Sequence, residues 1–183
     1  MTRIIFAVSA IALMGLPMAA HAQSASSTVT ISGEVEQACT LGAHSAAELN
    51  LGDITGADGR LAPGLAQSTT IAVAWCNTPS EMTLAAEPLS LVTPPGYTTP
   101  TGFSRLITYD ATVGGWAEAL AHRPLVGDLS NSVTASTPWA ADPLEISISS
   151  LATLNADGSA EAPTAFVEAG EYTATVTISL AIQ

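Results

Sequence analysis

The chain has 183 residues, only 11 % of them charged, and its four arginines stand with no lysine against sixteen carboxylates, a net charge of −12. That balance argues against nucleic acid and against an anionic membrane surface as partners, because both are bound through cationic side chains. It argues equally against intrinsic disorder, since 48 % of the residues are hydrophobic where disordered chains are poor in Val, Ile and Leu.

The first 22 residues have the anatomy of a secretory signal peptide. Arg3 supplies the positive start, Ile4 to Leu16 an apolar core, Pro17 a break, and Ala20-His21-Ala22 a small-x-small cleavage signature. The apolar run falls short of the roughly 20 residues a spanning helix needs. The mature chain expected is Gln23–Gln183, long enough for one domain with a real core. No later run is apolar for long enough to cross a membrane as a helix, and the cations left are Arg60, Arg105 and Arg123.

Strand patterns follow in chain order. "TVTISGEVEQAC", Thr28 to Cys39, sets Val29, Ile31, Gly33 and Val35 on one face against Thr28, Thr30, Ser32 and Glu34 on the other. This period of two is that of a half-buried strand. "TTIAVAWC" puts Ile71, Val73 and Trp75 in phase, and "MTLAA" does the same for Met82 and Leu84. "FSRLITYDATV" reads as one strand uniting Phe103, Ile107 and Tyr109, or as two short ones. "WAEALAHRP", Trp116 to Pro124, predicts a helix of about two turns stopped by its proline. "PLEISISSL" aligns Leu144, Ile146 and Ile148. "EYTATVTISLAIQ" aligns Tyr172, Ala174, Val176, Ile178, Leu180 and Ile182. Asp-Gly turns at Ala57–Gly59 and Ala156–Gly158, and a proline-rich loop from Thr93 to Gly102, separate these runs. Short strands, frequent turns and one cysteine pair predict an all-β fold, an antiparallel β-sandwich of immunoglobulin-like type.

Cys39 and Cys76 form an even pair in an exported chain and are expected to join in a disulfide. Closing the 36-residue loop between them is worth roughly 3–4 kcal/mol in the chain-entropy model. Motifs for catalysis are missing: the sequence has no Gly-x-Ser-x-Gly elbow, phosphate-cradling glycine loop or His-Glu-x-x-His helix. His44 and His122 sit in no recognisable motif and read as solvated or core-edge residues. Glu34 and Glu36 share one strand face as a solvated charge pair. Asp53 and Asp58 miss the spacing of an EF-hand loop and read as turn residues. Neither an enzyme nor a cofactor or metal is expected.

Four stretches resemble one family. "TVTISGEVEQACTL", "AELNLGDI", "TTIAVAWCNTPSEMTLAA" and "AGEYTATVTISLAIQ" are similar, in that order, to the elements of bacterial pilus subunits assembled by the chaperone–usher route and of the related spore coat protein U-type domains. Residues from about Leu91 to Leu144 carry no resemblance. The likeness implies a pilin-like sandwich over residues 39–183 that lacks its final strand, preceded by a donor-type strand at residues 23–38. Val29, Ile31, Gly33 and Val35 would be the donor side chains, and Val176, Ile178, Leu180 and Ile182 would line the acceptor groove. Implied partners are a periplasmic chaperone, an outer-membrane usher and neighbouring subunits. The implied route runs through the inner membrane and periplasm to a cell-surface fimbria. Two features differ from the family pattern: only Gln23–Ser27 precede the opening strand, and Ile182 stands where many members carry an aromatic residue. The residues alone leave open whether the opening strand is donated or completes its own sheet. They also leave open a self-contained secreted adhesin or carbohydrate-binding module, with Trp116, Trp139, Tyr97 and Tyr109 as its aromatic platform.

Overall fold

Residues 27–45, 48–141 and 143–183 are described by a computed structural model of the chain. The expected signal peptide, residues 1–22, and the first residues of the donor-type segment lie outside them. Met1–Glu34 and Val35–Gln183 form separate units. Of the first, the described residues Ser27–Glu34 are exposed and carry no regular structure. The expected strand from Thr28 is therefore not formed within the one chain, where pairing begins at Cys39. The second unit is all-β, with no helix among the described residues.

Its strands are β1 (Cys39–Leu41), β2 (Gln67–Ile71), β3 (Ala74–Cys76), β4 (Ser80–Ala86), β5 (Leu89–Leu91), β6 (Phe103–Ser104) and β7 (Leu106–Gly114). They continue as β8 (Leu120–His122), β9 (Ser130–Ala135), β10 (Trp139–Ala141), β11 (Leu144–Thr153), β12 (Phe166–Val167), β13 (Tyr172–Thr173) and β14 (Val176–Ile182). The larger sheet runs β13-β5-β7-β11-β2, with β8 also on β7; β14-β4-β9 and β1-β3-β10 are the smaller antiparallel ones, and β12-β6 is a short parallel pair. Met82, Leu84 and Ala86 of β4 meet Tyr109, Ala111 and Val113 of β7 and Leu144, Ile146 and Ile148 of β11 in a single core between sheets. This is the predicted antiparallel β-sandwich. Each fully buried large side chain here stabilises the fold by about 1.5–3 kcal/mol relative to exposure.

Cys39 and Cys76 lie opposite each other across β1 and β3 and are joined by a disulfide. The longest ladder, β7 with β11, breaks register between Ser149 and Ala152. Ser150 takes φ +52° there, a conformation that favours glycine. Arg123 braces the bulge: Nη1 donates to the Ser150 carbonyl at 3.1 Å and to Asp110 at 2.6 Å, and Nε donates to Glu161 at 2.7 Å.

Three local readings need correction. Trp116–Pro124 is not a helix; it bends and then forms β8. Two turns give too few internal hydrogen bonds to offset helix nucleation, whereas pairing with β7 satisfies the backbone and buries Leu120 and His122. "TTIAVAWC" is two strands, because a bend at Ala72–Val73 carries the chain from one sheet to another and reverses the phase. Ile71, Ala74 and Cys76 turn inward and Val73 is exposed. The closing run also divides, with Tyr172 paired to Leu91 in one sheet and Val176–Ile182 paired to β4 in another. "FSRLITYDATV" takes its two-strand form: Phe103 lies on β6, apart from Ile107 and Tyr109 on β7.

Candidate functional site

β14 pairs with β4 from Val176↔Ala86 to Ile182↔Ser80 and is the last strand of its sheet. Seven residues of strand extend about 23 Å. Among the described residues, no strand pairs with its outer edge, so alternate backbone groups there face outward without a ladder partner. The period-two alternation survives in three dimensions. Val176, Ile178 and Leu180 are half-buried against the core while Thr177, Ser179 and Ala181 face outward.

Beside that edge lies a groove of about 500 Å³. Val176 and Ile178 border it from β14, and Leu41, Leu49 and Leu51 border it from β1 and the segment that follows. Ile71, Tyr109, Ile146 and Ile148 contribute from β2, β7 and β11. His44, Glu48, Thr69 and Thr173 add polar groups. The Tyr109 hydroxyl donates to the Glu87 carbonyl at 2.7 Å, which fixes the ring. Burial, and then the Glu87 charge, push its pKa upward, so the phenol stays neutral. The disulfide holds β1 beside β3 and with it the Leu41 wall. A volume of this size is common among ligand sites; what sets this one apart is that it lies beside the Val176–Ile178 part of an unpaired strand edge.

Of the four residues expected in an acceptor groove, Val176 and Ile178 line it. Leu180 packs on the core without lining it, and Ile182 at the strand end is 44 % exposed. Of the expected donor side chains, Val29, Ile31 and Val35 are 81 %, 92 % and 84 % exposed, and nothing lies within 4 Å of where a Cβ on Gly33 would sit. Ile71, Ile146 and Ile148 were legible only as the apolar faces of strands, and Tyr109 as a strand residue or part of an aromatic platform. That they also line an open trough follows from β14 having no strand on its outer edge among the described residues, and no local pattern carries that information.

The other candidates disperse. His44 is exposed and bridges to Ile71 at the groove, while His122 is buried on β8. Asp53 and Asp58 each accept a backbone amide two residues ahead, from Thr55 and Arg60, as turn residues do. Among the described residues no three His, Cys, Asp or Glu side chains gather as metal ligands, and no helix is long and apolar enough to cross a membrane. The aromatic quartet is divided: Trp116 and Tyr109 are core residues, and only Trp139 and Tyr97 reach the surface. No protein-family model matches the chain, and no curated protein matches it.

Proposed function

We propose that the chain is an exported structural subunit of a surface pilus or fimbria and assembles by donor-strand complementation. The segment Val29–Val35 of one copy adds to the open edge of β14 in the next, with Val29, Ile31 and Val35 entering the trough and Gly33 at the closest approach. The observation that carries this reading is a matched pair of deficits in one chain. A sheet edge and apolar groove lack a strand, and a strand-patterned segment lacks a sheet. Strand addition meets both needs, with main-chain hydrogen bonds for affinity and alternating side chains for register. Burying three apolar side chains gives about 5–9 kcal/mol gross, before the cost of association and ordering. An uncovered edge of this kind also invites aggregation, which gives a periplasmic chaperone its role before an outer-membrane usher hands the subunit on.

The test is electrophoresis of mature protein purified from periplasm, without reductant, with and without boiling. A ladder that collapses to monomer only on heating is expected. A lone monomer band from a cooperatively folding protein would overturn the reading.

A further inference from the structure

The chain around β1 runs antiparallel to Thr70–Thr78 in one unbroken register. Gln37 meets Thr78, Ala38 meets Asn77, Cys39–Leu41 meet Cys76–Ala74, Gly42 meets Val73, and His44 meets Ile71. At Asn77 the backbone ladder changes character. Ala38 accepts from the Asn77 amide at 3.1 Å, but its own N–H donates to the Asn77 side-chain Oδ1 at 2.8 Å instead of to the main-chain carbonyl. Two residues farther on, the same pattern requires an N–H from residue 79, which is proline and has none. The missing donor is replaced: Asn77 Nδ2 donates to the Glu36 carbonyl at 2.8 Å. One planar amide, acceptor on one side and donor on the other, thus extends the ladder to Glu36.

Resting on the strand-exchange reading above, we propose that Asn77 is a positioning residue that prevents the N-terminal strand from filling its own groove and so commits it to a second copy of the chain. Reach sets the limit. With Glu36–Ala38 held in line with β1, the nearest place for a two-residue hairpin loop is Glu34–Val35. Such a hairpin along the free edge of β1 sets Ile31 opposite Ala38, Val29 opposite Thr40 and Thr28 opposite Leu41. The groove only begins at Leu41 and continues past Gly42 to His44. The apolar side chains stop short, and the residues that would enter are Gln23–Ser27, small or polar throughout. Freeing Glu36 and Gln37 moves the loop onto them and slides the segment four residues, about 13 Å. Ile31 then stands opposite Gly42 and Val29 opposite His44, inside the groove. Asn77 is itself exposed, so its replacement removes two hydrogen bonds without opening the core.

The experiment compares mature wild type, Asn77→Ala and a wild-type chain carrying a second copy of Thr28–Val35 after Gln183 on a short flexible linker. It reads the monomer fraction by size-exclusion chromatography with light scattering, and protease protection of Val29–Val35 within the monomer. For Asn77→Ala a monomer fraction at least five-fold above wild type, with the segment newly protected, is expected. An unchanged monomer fraction and an open segment would overturn the role of Asn77. If Asn77→Ala yields no folded protein, Asn77→Asp decides, since it keeps the acceptor toward Ala38 and loses the donor toward Glu36. A smaller shift in the same direction supports the proposal and an unchanged ratio overturns it. The appended copy separates the two levels. If it seats and abolishes the ladder while position 77 is silent, only the positioning role fails; if it stays protease-open, the strand-exchange reading fails with it.

Discussion

β11 and the segment Thr28–Val35 carry the same pattern, apolar residues at every second position, yet their circumstances are opposite. β11 is paired on both edges, by β7 and β2, and buries Leu144, Ile146 and Ile148. Thr28–Val35 is paired on neither, and its Val29, Ile31 and Val35 stand in solvent. β14 lies between the two, paired on one edge and half-buried on one face. Alternation encodes the capacity to cover an apolar face, and says nothing about which sheet, or whose, supplies the cover.

The contrast is sharpest at β11. Leu144→Ala is expected to cost about 2–5 kcal/mol, the range for a fully buried leucine, as a lowered urea midpoint with unchanged slope. The equivalent truncation Ile31→Ala should leave monomer stability within about 0.5 kcal/mol of wild type while thinning the ladder. Equal losses would erase the distinction between the two regions. Next in size is the bridge that holds the groove's β1 wall. Cys39→Ser is expected to cost roughly 2–5 kcal/mol and lower the exported yield, and an unaltered melting temperature would contradict it.

Alkaline pH probes the groove and its neighbourhood from the inside. Burial raises the Tyr172 pKa to about 12, with its hydroxyl donating to the Ser104 and Glu168 carbonyls, and Tyr109 is pushed higher still. Because the folded state holds these phenols neutral, their contribution is fully present below the unfolded value near 10 and is lost as pH rises through the folded values. Unfolding midpoints should therefore fall from about pH 10 upward, and Tyr172→Phe should flatten that fall. The smallest effect on the monomer is expected for a charge in the unpaired segment. Ile31→Asp should leave its unfolding curve in place and abolish the ladder, while Thr30→Asp on the opposite face should do much less to assembly. Identical ladders for the two variants would refute the assigned register.

Much of the sandwich was legible because local alternation coincides with burial: Met82 and Leu84, then Leu144, Ile146 and Ile148, face inward as their spacing requires. The disulfide followed from an even cysteine count behind an expected signal peptide. What stayed hidden depends on tertiary choices. The bend at Ala72–Val73 exists because two sheets claim successive halves of one run, which the run itself does not state. β8 was misread since Trp116 and Leu120 fit a helical spacing as well as a bent strand, and only the β7 edge decides between them. Of the four residues that the resemblance implied for an acceptor groove, Val176 and Ile178 line the trough, and Leu180 and Ile182 do not. The remaining walls come from β1, β2, β7 and β11, elements far apart in the chain.

The brace on the β7–β11 bulge has a consequence for resistance to proteolysis. Trypsin-like proteases cut after Lys or Arg, and the chain beyond residue 22 has no lysine and three arginines. Arg123 is folded into its carboxylates and the Ser150 carbonyl and is followed by the buried Pro124, a bond such enzymes do not cleave. Arg60 lies over the Phe166 ring and donates to the Thr164 carbonyl, and the Arg105 carbonyl is tied to the Leu91 amide. With no lysine beyond residue 22, and with Arg60 and Arg123 held by their side chains and Arg105 by its backbone carbonyl, the chain leaves trypsin-like enzymes few places to begin.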